Sequence, residues 1–274
     1  MPIDHIGLCS WSVQPDSPES LVQALESAGI TAVQLALTPC VQAPDRWAGV
    51  MESLRAAGVT VLSGMMEPVG EDYSTLEAIA RTGGVRQDAT WPANEAMASA
   101  IADFAAEHGI SLVTLHAGFL PGSAGDPERA IVLDRLARCV DIHADRGVRV
   151  AFETGQETAE TLLGVLHELD RPTLGVNFDP ANMILYAKGD PIESFRALAS
   201  HVMQVHVKDA VPTNEPGTWG TEVPVGTGAV DWAAFFEVLA GLPAATNAVI
   251  EREGGSQRID DIRAAHALVR ELTA

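Results

Sequence analysis

Short runs of apolar and β-branched residues recur along the chain, and each is followed by a stretch of helical character. Eight stand out, at 6–10, 32–36, 60–64, 112–116, 149–153, 174–179, 203–208 and 248–251. They are nearly continuous in apolar character rather than alternating. That is the pattern of strands buried on both faces, as in a parallel sheet. Helix signals fill the intervals. Ser17-Pro18-Glu19 supplies a cap and a first-turn proline, and Gly29 closes the helix they open. Gly58 ends the next one, and the Ala- and Met-rich stretch 92–107 closes at Gly109. Asp126-Pro127-Glu128 starts another, which runs to Arg146-Gly147. Further helices are expected over 157–169, 192–199, 232–239 and 259–272. Strand and helix alternating eight times predict an α/β fold with a parallel eight-stranded sheet, whose simplest form is the closed (β/α)8 TIM barrel. A doubly wound sheet is the competing architecture, but no Gly-rich phosphate loop follows the first run.

Length agrees with the pattern: the chain has 274 residues, and such a barrel needs roughly 250. Residues 1–274 are therefore expected to form a single barrel domain. Two connections are too long for one helix each, 64–112 and 209–230. Long loops at the mouth of a barrel are usually lids or specificity elements. Composition narrows the partners. The formal net charge is −20, which repels phosphate backbones and anionic membranes, so neither nucleic acid nor a membrane is expected as a partner. No run is long and apolar enough to cross a bilayer, and the first residues lack a signal-peptide pattern, so a cytoplasmic location is expected. Cys9, Cys40 and Cys139 are odd in number and widely spaced, and are expected to pack as buried thiols rather than to pair or bind zinc.

Four strands end on residues that are costly in a core. Glu153 ends the fifth run, Asp179 the sixth and Glu251 the eighth, and His206 lies near the end of the seventh. In a TIM barrel those ends converge at the C-terminal mouth, where the active site sits. Three carboxylates and an imidazole brought together repel one another unless a cation stands between them. The donor set suits one divalent metal ion, Mn²⁺, Mg²⁺ or Co²⁺, with Zn²⁺ as a less specific fit.

The phrases "VAFETG", "GVNFDPANM", "VHVKDA" and "VIEREGG", in this order, resemble the xylose isomerase-like barrel superfamily and its sugar phosphate isomerase/epimerase branch. The resemblance runs from "GLCSWS" through "VQLAL" and "LVTLHAG" to the last strand. It implies that Glu153, Asp179, His206 and Glu251 occupy the family's metal-ligand positions and that Glu153 and Glu251 match its acid/base pair. It also implies a small-molecule sugar or polyol substrate and a homodimer or homotetramer. The chemistry follows from the residues. A metal held by a carbonyl and a neighbouring hydroxyl stabilises an enediolate. One glutamate removes the proton beside the carbonyl, and the other returns it to the opposite face or to the adjacent carbon, giving epimerisation or isomerisation. The same pair would also support a dehydratase or lyase acting on keto-inositols or 3-keto-glycosides.

His116 at the end of "TLH", Lys208 two residues after His206, Asn182, Trp11, Trp219 and Glu67 are candidate substrate contacts. Trp91 and Phe119 are further candidates for stacking on a sugar face or closing the mouth, and Gln34 could reach the pocket. Many relatives carry a histidine where Asn182 stands, and epimerases tend to carry an arginine after the seventh-strand histidine, which is missing here. Two readings of other classes compete: an apurinic endonuclease-like nuclease, which needs further histidines, and a barrel that binds sugar without catalysis. The opposed pair Glu153 and Glu251 argues against the second.

Overall fold

The computed structural model describes residues 3–123, 125–215 and 217–273. Eight parallel strands close into a barrel: β1 (Ile3–Cys9), β2 (Ala32–Ala36), β3 (Thr60–Met65), β4 (Leu112–His116), β5 (Arg149–Glu153), β6 (Leu174–Phe178), β7 (Val202–Val207) and, after a small hairpin, β10 (Thr246–Ile250). Around the barrel the order is β1-β10-β7-β6-β5-β4-β3-β2, each strand beside its sequence neighbour, with β10 closing on β1. The expected TIM barrel is thus the observed fold. The apolar runs place β2, β4 and β5 at their observed bounds and the other strands within a few residues.

The helices start and stop where local chemistry dictates. Ser17 and Ser20 form a reciprocal capping box at Pro18–Ala28, and Gly29 ends that helix at φ +70°. The stretch before Gly58 holds two short helices rather than one, Leu37–Gln42 and Val50–Ala56, with Pro44 in the gap. An extra helix, Pro180–Leu185, follows β6 because Asp179 caps it: Oδ1 accepts from the Ala181 and Asn182 amides at 2.8 and 3.0 Å. Between strands and helices the apolar layer is continuous. Phe178 of β6 stacks on Phe195 at 4.5 Å, and Phe235 closes on both. No helix among the described residues is long and apolar enough to cross a membrane.

Both long connections are built, and both reach the C-terminal mouth. The first crosses the loop after β4 with no room for a side chain. A Cβ on Gly84 (φ +69°) would lie 2.4 Å from the Ala117 carbonyl oxygen, and one on Gly118 2.3 Å from that of Gly83. Only glycine fits such a crossing. Buried Asn94 pins the same excursion by accepting from the Val69 amide at 2.6 Å, and Arg135 donates to the carbonyls of Val85 and Arg86. The second connection folds into the antiparallel hairpin of β8 (Asp209–Val211) and β9 (Thr221–Val223). Buried Asp209 organises the turn between this hairpin and the next helix, accepting from the amides of Gly226, Gly228 and Val230 and from the Trp232 indole.

Candidate metal centre

Parallel register sets the depth of the site. Glu153 pairs with His116 of β4 on one side and Asn177 of β6 on the other, and His206 pairs with Val249 of β10. Glu251 extends the β10–β7 ladder by one step, its amide donating to the Val207 carbonyl at 3.1 Å. The donor atoms of Glu153, Asp179, His206 and Glu251 lie within 4.8 Å of one another. From His206 Nδ1 the distances are 3.0 Å to Glu251 Oε2, 3.4 Å to Glu153 Oε1 and 3.6 Å to Asp179 Oδ2. All four residues are buried.

Three of these atoms, His206 Nδ1, Asp179 Oδ2 and Glu251 Oε2, have no hydrogen-bond partner. A buried polar atom left unpaired is costly, and three aimed at one point indicate a missing partner. At a metal–oxygen distance of about 2.1 Å, ligands at right angles stand about 3.0 Å apart. The three carboxylates and one imidazole therefore fit a divalent cation in both spacing and chemistry. Electrostatics agree. Burial opposes a charge on His206, but Cys9 and the carboxylates of Glu153 and Glu251 raise its pKa well above the usual value. Burial pushes the Asp179 carboxyl up to about 6. Glu251 resists burial and stays well below its ordinary pKa because Lys208 and His206 lie beside it. These carboxylates draw positive charge to one point, supplied without an ion by a proton on His206 and by Lys208, and a divalent cation would take the place of that proton.

The surroundings hold the cluster rigid. Gln34 Oε1 lies 2.8 Å from His206 Nε2, so that with the proton on Nε2 and a cation bound the Nδ1 lone pair would face the carboxylates. Gln34 donates in turn to Thr114 Oγ1 at 2.7 Å. Ser63, Gln204 and Asn177 continue this polar floor across the barrel interior, and Asn177 Nδ2 reaches Glu153 Oε2 at 3.2 Å. Asn182 Nδ2 donates to Glu153 Oε1 at 3.0 Å, and His116 Nε2 lies 3.6 Å from the same oxygen. Trp11, in the 3-10 turn after β1, donates its indole N–H to Glu251 Oε1 at 2.7 Å. Lys208 Nζ sits 3.4 Å from Glu251 and 2.9 Å from Glu253.

A cavity of about 710 Å³ opens above the cluster. All six candidate substrate contacts, His116, Lys208, Asn182, Trp11, Trp219 and Glu67, line it, and so does Glu251. Glu153, Asp179 and His206 are not among the lining residues, but Asn182 and His116, which are, both contact Glu153. Two expected contacts are placed elsewhere. Trp91 packs under the Arg135 guanidinium at 5.4 Å, and Phe119 lies under Lys188 and beside Tyr186. Both are apolar supports of the mouth rather than its lining. Gln34 stands below the cluster, fully buried, rather than in the pocket. The three cysteines are buried and unpaired, as expected. Cys9, however, is more than packing, since its Sγ lies 3.7 Å from His206 Nε2. The sequence reading missed Glu71, Tyr73, Tyr186, Glu222 and Glu253, all of which line the cavity. Only Glu253 carried a signal, two residues after Glu251.

One further carboxyl, four residues after Glu153, is shifted mainly by its own burial. Burial pushes the Glu157 carboxyl up to about 8, against the opposing charge of Lys188. In the unfolded chain this group ionises near its ordinary 4.5. The native state therefore binds the extra proton between pH 4.5 and 8, and its stability falls as pH rises through that window. Glu157→Gln is expected to match the parent near pH 4.5 and to melt at least about 3 °C higher at pH 8.5. Calorimetric melting at the two pH values checks this, and a difference that does not change with pH refutes it.

A model of the family described as xylose isomerase-like TIM barrel matches residues 22–272. The crystal structure of a xylose isomerase domain protein from Planctomyces limnophilus superposes with a TM-score of 0.85 at 31% identity, covering 99% of this chain and 96% of the other. Escherichia coli YcjR, described as a 3-keto-D-glucoside 4-epimerase, superposes with a TM-score of 0.73 at 17% identity, covering 97% and 98%. Other solved neighbours include sugar epimerases and a probable 3-DHS dehydratase, at 16% identity, a likeness of fold alone. Among curated sequences, the uncharacterized protein YihM of E. coli K12 is 32% identical over 92 residues, 33% of this chain and 28% of its own. The chain spans less than half the length of the curated relatives it matches. On the match across nearly its whole length, this chain belongs to the xylose isomerase-like TIM barrel family.

Proposed function

We propose that the protein is a metal-dependent sugar or polyol isomerase or epimerase that moves a proton on the carbon beside a carbonyl. The observation that carries this reading is the pair Glu153 and Glu251 flanking a point at which three buried donor atoms lack partners. Glu153, Asp179, His206 and Glu251 would hold the cation. When bound, it supplies the positive charge that offsets negative charge developing on a substrate oxygen.

The other roles belong to the chain. Glu153 is fixed by Asn177, Asn182 and His116, which aim its carboxylate. It takes the proton beside the carbonyl. Glu251, steadied by Trp11 and Lys208, gives one back from the other side. Return to the opposite face of the same carbon is epimerisation, and return to the adjacent carbon is isomerisation. A second reading rests on His116, 3.6 Å from Glu153: a proton donor beside the base also serves the loss of a β-hydroxyl, which would make the enzyme a lyase. A nuclease fits less well, because Glu67, Glu71, Glu222 and Glu253 around the mouth repel a phosphate backbone.

The test is a panel of keto-sugars, keto-inositols and 3-keto-glycosides incubated with the protein and Mn²⁺ in deuterated water. At least one member is expected to gain deuterium beside its carbonyl, and the product identifies the reaction. A panel that gains none overturns the proposal.

A further inference from the structure

Aromatic residues make up 5% of the chain, yet both tyrosines and three of the five tryptophans line the cavity above the cluster. Trp11 stands at its base, bonded to Glu251. Tyr73 and Trp219 come from the two long connections, and Trp219 meets Tyr186 edge to face at 5.0 Å. Tyr73 is 44% exposed, an aromatic ring left open to solvent at the mouth. Flat apolar rings of this kind bind the C–H faces of sugars and aryl groups.

The charge on the lining points the same way. Five glutamates, Glu67, Glu71, Glu222, Glu251 and Glu253, border the cavity, and Lys208 is the only lysine or arginine among its lining residues. Its ammonium is already held by Glu253 and Glu251. The helix that starts at the cluster offers no anion site, because Asp179 takes its first free amides. A phosphate or carboxylate on the substrate would find no unpaired cation among the cavity's lining residues, and several carboxylates. Size completes the picture. At about 710 Å³ the cavity lies in the upper half of the ~300–1,000 Å³ range of small-molecule sites, more than one sugar ring fills.

We propose that the substrate is an uncharged glycoside, with its oxidised sugar ring at the four-residue centre and its aglycone or second ring against Tyr73, Tyr186 and Trp219. This rests on the reading of the centre given above, so its test reads binding rather than turnover. Calorimetric titration of the Mn²⁺-loaded protein compares methyl glucoside, phenyl glucoside and glucose 6-phosphate. Phenyl glucoside is expected to bind about tenfold tighter than methyl glucoside, and glucose 6-phosphate at least about tenfold weaker than methyl glucoside. Trp219→Ala and Tyr73→Ala, on separate loops, are each expected to cut the phenyl-to-methyl affinity ratio about threefold or more. Equal affinities for the two glycosides, a ratio unmoved in both variants, tight binding of the phosphorylated sugar, or no saturable binding of either glycoside overturns the proposal. The two readings fail separately. Aryl preference without deuterium exchange on any keto-sugar sinks the proton-transfer reading, while exchange on free keto-sugars without aryl preference sinks this one.

Discussion

Exchange of substrate protons with solvent is expected to fall about a thousandfold when Glu251 becomes glutamine, and by a similar factor for Glu153→Gln. Glutamine keeps the shape of the side chain, so the Trp11 indole can still donate to Oε1 at position 251 and the Asn182 amide still finds an oxygen at 153. The basic lone pair is lost. An amide cannot take a proton from carbon, and in each variant one face of the substrate loses its base or its donor. The fold should survive, because each change removes one negative charge from a cluster of three. Lys208 keeps Glu253 as its partner at 2.9 Å when Glu251 is neutralised. Deuterium incorporation by mass spectrometry, with melting curves alongside, separates lost chemistry from lost structure. Full exchange in either variant removes that glutamate from the acid/base pair.

The four residues of the candidate centre are legible in the sequence because each puts a charge or an imidazole at or near the end of an apolar run, and parallel strands bring such ends to one depth. The layer beneath them is not. In a strand buried on both faces nothing alternates, so the sequence does not say which of Val33 and Gln34 points inward. A register shift between those two residues, where β2 meets β3, adds to the ambiguity. Cys9 shows the same limit. Its burial is readable from residue type, but its 3.7 Å approach to His206 depends on which face of β1 it takes. The mouth is harder still. Glu71 reaches the cavity because its carboxylate accepts from the Gly84 amide at 2.7 Å, and Gly84 is held by a backbone crossing with the loop after β4. Such a meeting of two irregular segments has no period, so Gly83-Gly84 reads only as a turn until the crossing is seen. The hairpin of β8 and β9 escapes for a related reason: its two strands are three residues each, too short for a pattern.

Metal removal should be visible in stability alone, with no substrate present. Without a cation the cluster holds three carboxylates and one imidazole whose inward-facing atoms repel or go unpaired. A cation that binds only the folded chain adds about 2.7 kcal/mol at a hundred times its dissociation constant. For a chain of this size that is a rise of about 5–10 °C in melting temperature. Protein stripped with a chelator is therefore expected to melt lower by that amount, and one equivalent of Mn²⁺ is expected to bind per chain on titration. Asp179→Asn tests the assignment without dismantling the fold. Asparagine keeps an oxygen that can cap Pro180–Leu185, where Oδ1 now accepts from Ala181 and Asn182, but it loses the unpaired anionic Oδ2. This variant should melt at or above the stripped parent, since one repelling charge has gone, and should gain little on adding Mn²⁺. A parent that shows no shift with Mn²⁺, Mg²⁺, Co²⁺ or Zn²⁺, or an Asp179→Asn protein that shifts as fully as the parent, would mean that positive charge reaches these side chains by proton alone.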